Sequence, residues 1–268
     1  MSSDFSRGYE AKDPEDARQQ ASRLGSNKAL LLQMSTTMAD DEKSVYLVAG
    51  DIGGTNSRLG LYSTTVKDED GMPAQLFYKE YKNQEHLTNQ GGNGDDPETA
   101  FERRILAPFL KECWEDHADL LKDAELVVCL AVAGPVKDNK VTTSRHKELE
   151  ISGDGILQRS NNRKRKSAGD DEAAVDPYLA AIVECQVIND FVAQGYGCLT
   201  LDHDKDVTEL IEDSKEMKEK NKGGTMVCLG AGTGLGTCFL TCSNGVYTCH
   251  PSEFGQVEWA PTSGTMFR

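Results

Sequence analysis

The chain has 268 residues, 38% hydrophobic and 27% charged, with a formal net charge of −15. That is enough apolar material for one large domain or two modest ones. The acidic balance disfavours sequence-independent binding to nucleic acid or to anionic membranes, which both need a positive surface. It does not disfavour a nucleotide, because a few backbone amides and one cation hold phosphates locally. Residues 1–20 are polar and lack the apolar core of a secretory signal, and no stretch approaches the roughly 20 apolar residues of a membrane span. The eight cysteines include no C-x-x-C pair, the nearest approach being Cys238 to Cys242. A cytoplasmic protein with reduced thiols buried as small hydrophobes is the expectation.

Residues 1–43 are polar and without period and read as a disordered tail, with one helical turn allowed over 29–34. Order is expected from Ser44, with Val45-Tyr46-Leu47-Val48 as a buried strand. A glycine-rich turn, Gly50-Asp51-Ile52-Gly53-Gly54-Thr55, follows, and Arg58 to Tyr62 alternates back as the second arm of a hairpin. Gln75 to Tyr81 is a third strand and Asn83 to Asp96 a loop. Asp96 before Pro97 marks a capped helix start. Phe101, Ile105, Phe109 and Cys113 recur every four residues and line one helix face, with a kink or break near Pro108. The nearly continuous apolar run Leu126 to Ala133 predicts a central strand ending at Gly134-Pro135.

Residues 158–176 read as an exposed charged insertion. Its basic pentamer, Asn162-Arg163-Lys164-Arg165-Lys166, has the composition of a nuclear signal or nucleic-acid patch, but acidic residues follow at once. Tyr178 to Glu184 reads as a helix and Gln186 to Ile188 as a short strand. A lid or linker rich in Lys, Glu and Asp spans 202–222. The apolar strand Met226 to Leu229 then runs into Gly230-Ala231-Gly232-Thr233-Gly234-Leu235-Gly236, and Thr237 to Thr241 is its partner.

Two strand–turn–strand units thus occur, each with glycines and a threonine where backbone N–H groups and a hydroxyl can approach a phosphate. The first adds Asp51, a carboxylate suited to Mg²⁺ directly or through water. Neither has the Gly-Lys-Ser/Thr ending of a Walker A loop, and the second fails the dinucleotide fingerprint at Leu235 or Thr237. Each turn alone reads more readily as a plain hairpin; their combination, with an acidic residue at the first, points to a triphosphate gripped from two sides. Between them, Val187-Ile188-Asn189-Asp190-Phe191 ends a strand in an amide and a carboxylate, suited to fixing hydroxyls and removing a proton. In isolation Asp190 reads better as a helix N-cap. Glu253 and Gln256 in the last turn are further candidate hydroxyl ligands.

These motifs, in this order, resemble the bacterial-type (group A) glucokinase family of the actin/hexokinase superfamily. The matching stretches are Val48 to Leu59, Ala131 to Val136, Ile188 to Phe191, Gly230 to Gly236 and Glu253 to Pro261. The resemblance implies an α/β fold: a ribonuclease H-like mixed-sheet domain over 44–200, then the beginning of a larger α/β domain over 201–268. It implies ATP- and Mg²⁺-dependent phosphorylation of glucose at the 6-hydroxyl, with Asp190 as the base. Asn189, Asp190, Gly232, Glu253 and Gln256 would contact sugar. Asp51, Gly53, Gly54, Thr55 and Asn56 would form one phosphate turn, with Asp51 toward the metal, and Gly232, Thr233 and Gly234 the other. A homodimer is compatible with it. Three departures from the family pattern stand out. Phe254 and Gln256 replace a glycine and a histidine, with strain expected at Phe254 if that position needs φ > 0. A family Thr-Asn pair survives only as Thr143-Ser144. The sequence also stops seven residues beyond Pro261, which implies a truncated second domain. The alternatives are a sugar-binding sensor without turnover or a kinase of another hexose.

Overall fold

A computed structural model describes residues 43–257, apart from 70, 88–95, 143–149, 168–176, 203, 211–222 and 233. The expected tail over 1–42, Thr143-Ser144 and most of the 202–222 linker lie outside the described residues, as does everything after Val257.

The first sheet grows from a hairpin. β1 (Val45–Ile52) pairs antiparallel with β2 (Asn56–Lys67) around the first glycine turn, and β3 (Pro73–Lys82) adds antiparallel to β2. The chain then makes a short helix α1 (Asn83–His86), where a loop was expected, and enters α2 (Pro97–Phe101). Asp96 is the N-cap: its carboxylate accepts from Glu98 N at 3.2 Å, and Pro97 occupies the first turn where its missing N–H costs nothing. A π-helical turn (Glu102–Leu106) joins α2 to α3 (Ala107–Asp116), with Pro108 in the first turn of α3. The expected break near Pro108 is this wider turn, which spares the carbonyls a proline ring would strike. Phe101, Ile105, Phe109 and Cys113 are each at most 1% exposed, so the apolar stripe is the face that meets the sheet.

After α4 (Ala118–Leu121), β4 (Glu125–Val132) lies parallel to β1 and is central, as its unbroken apolar run requires. A small three-stranded sheet follows, formed by β5 (Val136–Lys137), β6 (Lys140–Thr142) and β7 (Glu150–Ser152), and leads into α5 (Gly153–Ser167). Here the structure corrects the sequence reading: 158–167 is the C-terminal two-thirds of a packed helix. Arg159 and Arg163 face inward. Arg159 Nε donates to Glu102 at 2.6 Å, and Arg163 Nη2 lies 2.7 Å from the other carboxylate oxygen as an ion pair without hydrogen-bond alignment. Glu102 is 1% exposed, so Arg159 and Arg163 neutralise a buried charge.

α6 (Pro177–Ala180) is only one turn, and β8 (Ile182–Asn189) begins inside the stretch expected to be helix. The reason is tertiary: β8 pairs parallel with β4 from Ile182 to Asn189, and Ile182, Cys185 and Val187 fill the core. The sheet order is β3-β2-β1-β4-β8, a mixed sheet with parallel strands at one side.

α7 (Asp190–Gly197) then packs on a separate sheet of β9 (Met226–Ala231), β10 (Leu235–Ser243) and β11 (Val246–Ser252), in order β11-β10-β9, and the two share one small core. Val192, Cys238, Leu240 and Cys249 form that core, with Phe191, Tyr196, Cys228 and Tyr247 around it. The opposite face carries Val227, Leu229 and Phe239, of which Val227 and Leu229 are more than 60% exposed. The strand legible as apolar in the sequence is therefore buried on one side only. No helix among the described residues is long and apolar enough to cross a membrane.

Candidate active site

The parallel strands β1, β4 and β8 end together: Ile52 is opposite Val132, and Val132 is opposite Asn189. Three loops therefore leave the sheet from one edge, the carboxyl edge where α/β sheets hold ligands. These are the first glycine turn, Ala133-Gly134, and the β8–α7 junction.

The first turn is closed by Gly53 N donating to Asn56 O at 2.9 Å. It is held from behind by Asn83, a residue the motifs gave no reason to single out. Asn83 is 1% exposed. Its Nδ2 donates to Gly53 O at 2.8 Å, its Oδ1 accepts from Ser57 Oγ at 2.7 Å, and its backbone N donates to Thr55 O at 2.8 Å. Antiparallel pairing of Asn56 with Lys82 is what brings Asn83 there, and that pairing is the only sequence signal for it. Asp51 and Thr55 are exposed and Asn56 is half-buried. Asp51 makes an ion pair with Arg58 at 3.1 Å, and Arg58 also reaches Glu80 at 3.3 Å.

At the β8–α7 junction the cap belongs to Asn189 and not to Asp190. Asn189 Oδ1 accepts from Phe191 N at 3.0 Å and Val192 N at 3.2 Å, while its Nδ2 donates to Gly134 O at 3.0 Å. Both ends of the amide are thus engaged in positioning the junction. Asp190 is the first helical residue, half-buried, with Oδ1 accepting from Phe191 N at 2.9 Å. Its carboxyl lies above the usual carboxylate range. Burial is the main cause, the Phe191 N–H opposes it, and the negative charges of Asp51 and Glu253 push the same way as burial. Asp51 near the end of β1 and Glu253 before the 3₁₀ helix thus both act on Asp190. Among the described residues no group of three His, Cys, Asp or Glu is arranged to hold a metal ion, so a cation here would rely on phosphate oxygens and water with one protein carboxylate, as Mg²⁺ commonly does. Exposed Asp51 fits that limited role.

The second turn sits against the same helix. Gly232 N donates to Gly234 O at 2.9 Å, and both glycines are exposed; Thr233 lies outside the described residues. Gly230 and Gly236 pair across β9 and β10 and make a recess for the Phe191 ring. A Cβ on Gly236 would lie 1.7 Å from Phe191 Cε2, and one on Gly230 2.8 Å from its Cζ. The absence of side chains there lets the residue after Asp190 lie flat against the turn. Gly255 makes a comparable approach: a Cβ on it would lie 1.7 Å from Leu235 O, which docks the short 3₁₀ helix Phe254–Gln256 on the start of β10. Glu253, exposed, precedes that helix. Phe254 has no positive φ, since the only non-glycine residues with one are Asp138, Asn139 and Asn244 among those described; the strain expected at Phe254 does not arise. The side chain of Gln256 lies outside the described residues.

A mixed α/β sheet whose carboxyl edge carries a half-buried carboxylate between two glycine turns is the architecture of the actin/hexokinase ATPase class. The glucokinase of Balamuthia mandrillaris in complex with glucose has a similar fold, at TM-score 0.52 and 21% identity over 90% of this chain and 56% of that one. Residues 178–267 match the glucokinase family model. The glucokinase of Synechocystis sp. is 31% identical over 226 residues, 82% of this chain and 50% of that protein, and that of Nostoc sp. is 27% identical over 224 residues, 83% of this chain and 51% of that protein. The chain is similar to glucokinases over most of its length, and it spans about half the length of the curated relatives it matches.

Proposed function

We propose that the protein containing this chain transfers the γ-phosphoryl group of ATP to the 6-hydroxyl of glucose. The observation that carries the reading is Asp190: a half-buried carboxyl at the carboxyl end of β8, raised by burial and by Asp51 and Glu253, with a glycine turn on either side. A carboxylate of raised pKa is a better proton acceptor for an attacking hydroxyl than an ordinary one. Asp190 takes the proton of the sugar hydroxyl, and Glu253, Gln256 and Gly232 contact the ring. Asn189 is a positioning residue, since its amide is engaged by Phe191, Val192 and Gly134. Gly53, Gly54, Thr55 and Asn56 offer phosphate contacts on one side and Gly232, Thr233 and Gly234 on the other. Mg²⁺, held through Asp51, supplies charge neutralisation of the triphosphate. We also propose the two-unit organisation over 44–200 and 201–268, with α7 of the first packed on the sheet of the second, and a cytoplasmic location.

The test is a coupled assay of glucose 6-phosphate formation, run on this chain and on the full reading frame that contains it, with glucose, mannose and fructose. Asp190→Asn is expected to lower kcat by about 10²-fold or more while changing the KM for glucose less. Near-normal kcat in that variant would overturn the base assignment. Glucose binding by the parent without product would overturn the kinase reading.

A further inference from the structure

Four of the eight cysteines meet in one seam between α7 and the second sheet. Cys228 and Cys238 are directly opposite on β9 and β10. Cys238 and Cys249 both crowd Gly195 of α7, where a Cβ would lie 2.7 and 2.5 Å from their sulfurs. Cys198, the C-cap of α7, places its Sγ 3.9 Å from Cys228 Sγ. The four are not arranged as a metal site. They differ in access: Cys198 is exposed and Cys228 half-buried, while Cys238 and Cys249 are buried.

We propose that Cys198 and Cys228 are a modification site, a dithiol that peroxide oxidises to a disulfide joining the end of α7 to β9. The Cys198 thiolate attacks a peroxide oxygen and the O–O bond breaks, giving a sulfenic acid and hydroxide. The Cys228 thiolate then attacks the Cys198 sulfur, the S–O bond breaks and a second hydroxide leaves. The two thiol protons turn both hydroxides into water, so one peroxide is reduced as two thiols are oxidised. The sulfurs close from 3.9 Å to a bond of about 2.0 Å by rotation of Cys198, which lies past the last helical turn at an exposed position. Burial raises all four thiols above their ordinary range, so the reaction accelerates with pH across the mildly alkaline range. The bond closes the 29 residues 199–227 into a loop. It also ties the helix that begins at Asp190 to the strand that ends in the second glycine turn.

The experiment is a titration of the purified chain with hydrogen peroxide, an alkylating quench and peptide mapping without reduction. A Cys198–Cys228 crosslink is expected as the first product, with both thiols lost in equal proportion and restored by dithiothreitol. It should be absent in Cys198→Ser, in which Cys228 oxidises at least tenfold more slowly. In guanidinium the same titration should give mixed pairings, which shows that the fold selects the pair. A first crosslink between other cysteines would overturn the proposal. So would loss of Cys198 without loss of Cys228, or unchanged oxidation of Cys228 in Cys198→Ser.

Discussion

Replacing Gly236 by alanine tests whether the second glycine turn is shaped by its fit to α7. The added Cβ would lie 1.7, 2.1 and 2.4 Å from three atoms of the Phe191 ring. Ordinary carbon contacts are about 3.5–4.0 Å, so the ring must withdraw by about 2 Å. It has little freedom to do so by moving the helix, because Val192 is 6% exposed on the same element and Gly195 already lies against the sulfurs of Cys238 and Cys249. The strain therefore falls on the Phe191 rotamer or on the β8–α7 junction, at about 2–3 kcal/mol, the upper part of the range for overpacking. With a urea dependence of about 2–3 kcal/mol per molar, the unfolding midpoint followed by circular dichroism should fall by about 1 M. Gly230→Ala, whose Cβ would meet the same ring at 2.8 Å, should cost less. Shrinking the ring should relieve the clash, so Gly236→Ala with Phe191→Leu should be more stable than the two single losses added together, by about 1–2 kcal/mol. A Gly236→Ala protein with an unchanged midpoint, or a double variant whose losses simply add, would refute the packing argument.

Asn83→Ala removes two buried hydrogen bonds and strands the Gly53 carbonyl, so a loss of about 1–3 kcal/mol is expected in urea unfolding; in an active full-length protein it should raise the KM for ATP more than that for glucose. Glu102→Ala removes the one buried carboxylate that Arg159 and Arg163 share. Both arginines are about a quarter exposed and recover water, so the cost should lie near or below the 3 kcal/mol lower end for a broken buried pair, read by thermal unfolding. For Asp190 the sign follows from a raised carboxyl. Its folded-state pKa exceeds the unfolded one, so stability is fully present below the ordinary carboxylate range and is lost as pH rises through the folded value. Asp190→Asn should therefore be more stable than the parent at neutral pH, with the difference vanishing in acid; an equal difference at all pH values would contradict the assignment. The same raised pKa predicts that kcat/KM of the active protein rises with pH through that folded-state value.

The parts of the fold that were legible in sequence are those set by near neighbours. The Phe101, Ile105, Phe109, Cys113 stripe needs only helical spacing, and Asp96-Pro97 only a local hydrogen bond, and both elements lie where that chemistry puts them. The misread parts have distant partners. The helix expected over Tyr178 to Glu184 stops at Ala180, because Leu126 pairs with Ile182 and draws Ile182 to Glu184 into the sheet. Arg159 and Arg163 look like parts of a solvated insertion until Glu102, 57 residues from Arg159, supplies their buried partner. Asn83 was silent for the same reason, because its role depends on a strand register and not on its neighbours.

At the candidate site the two readings of Asn189-Asp190 are divided between the residues. A helix starting at the end of a parallel strand needs a cap, and it also offers a carboxylate a place at the sheet's carboxyl edge. One residue doing both would have its charge spent on backbone N–H groups, which lowers a carboxyl's pKa. Here Asn189 accepts from the N–H groups of both Phe191 and Val192, and at Asp190 the opposing backbone N–H groups, those of Phe191 and of Asp190 itself, are outweighed by burial and two negative neighbours. The amide at position 189 is therefore what allows the carboxyl at 190 to stay raised. Exchanging the two, as Asn189→Asp with Asp190→Asn, should preserve the helix start and abolish proton acceptance, because the carboxylate would then sit where the cap hydrogen bonds hold it ionised and weakly basic.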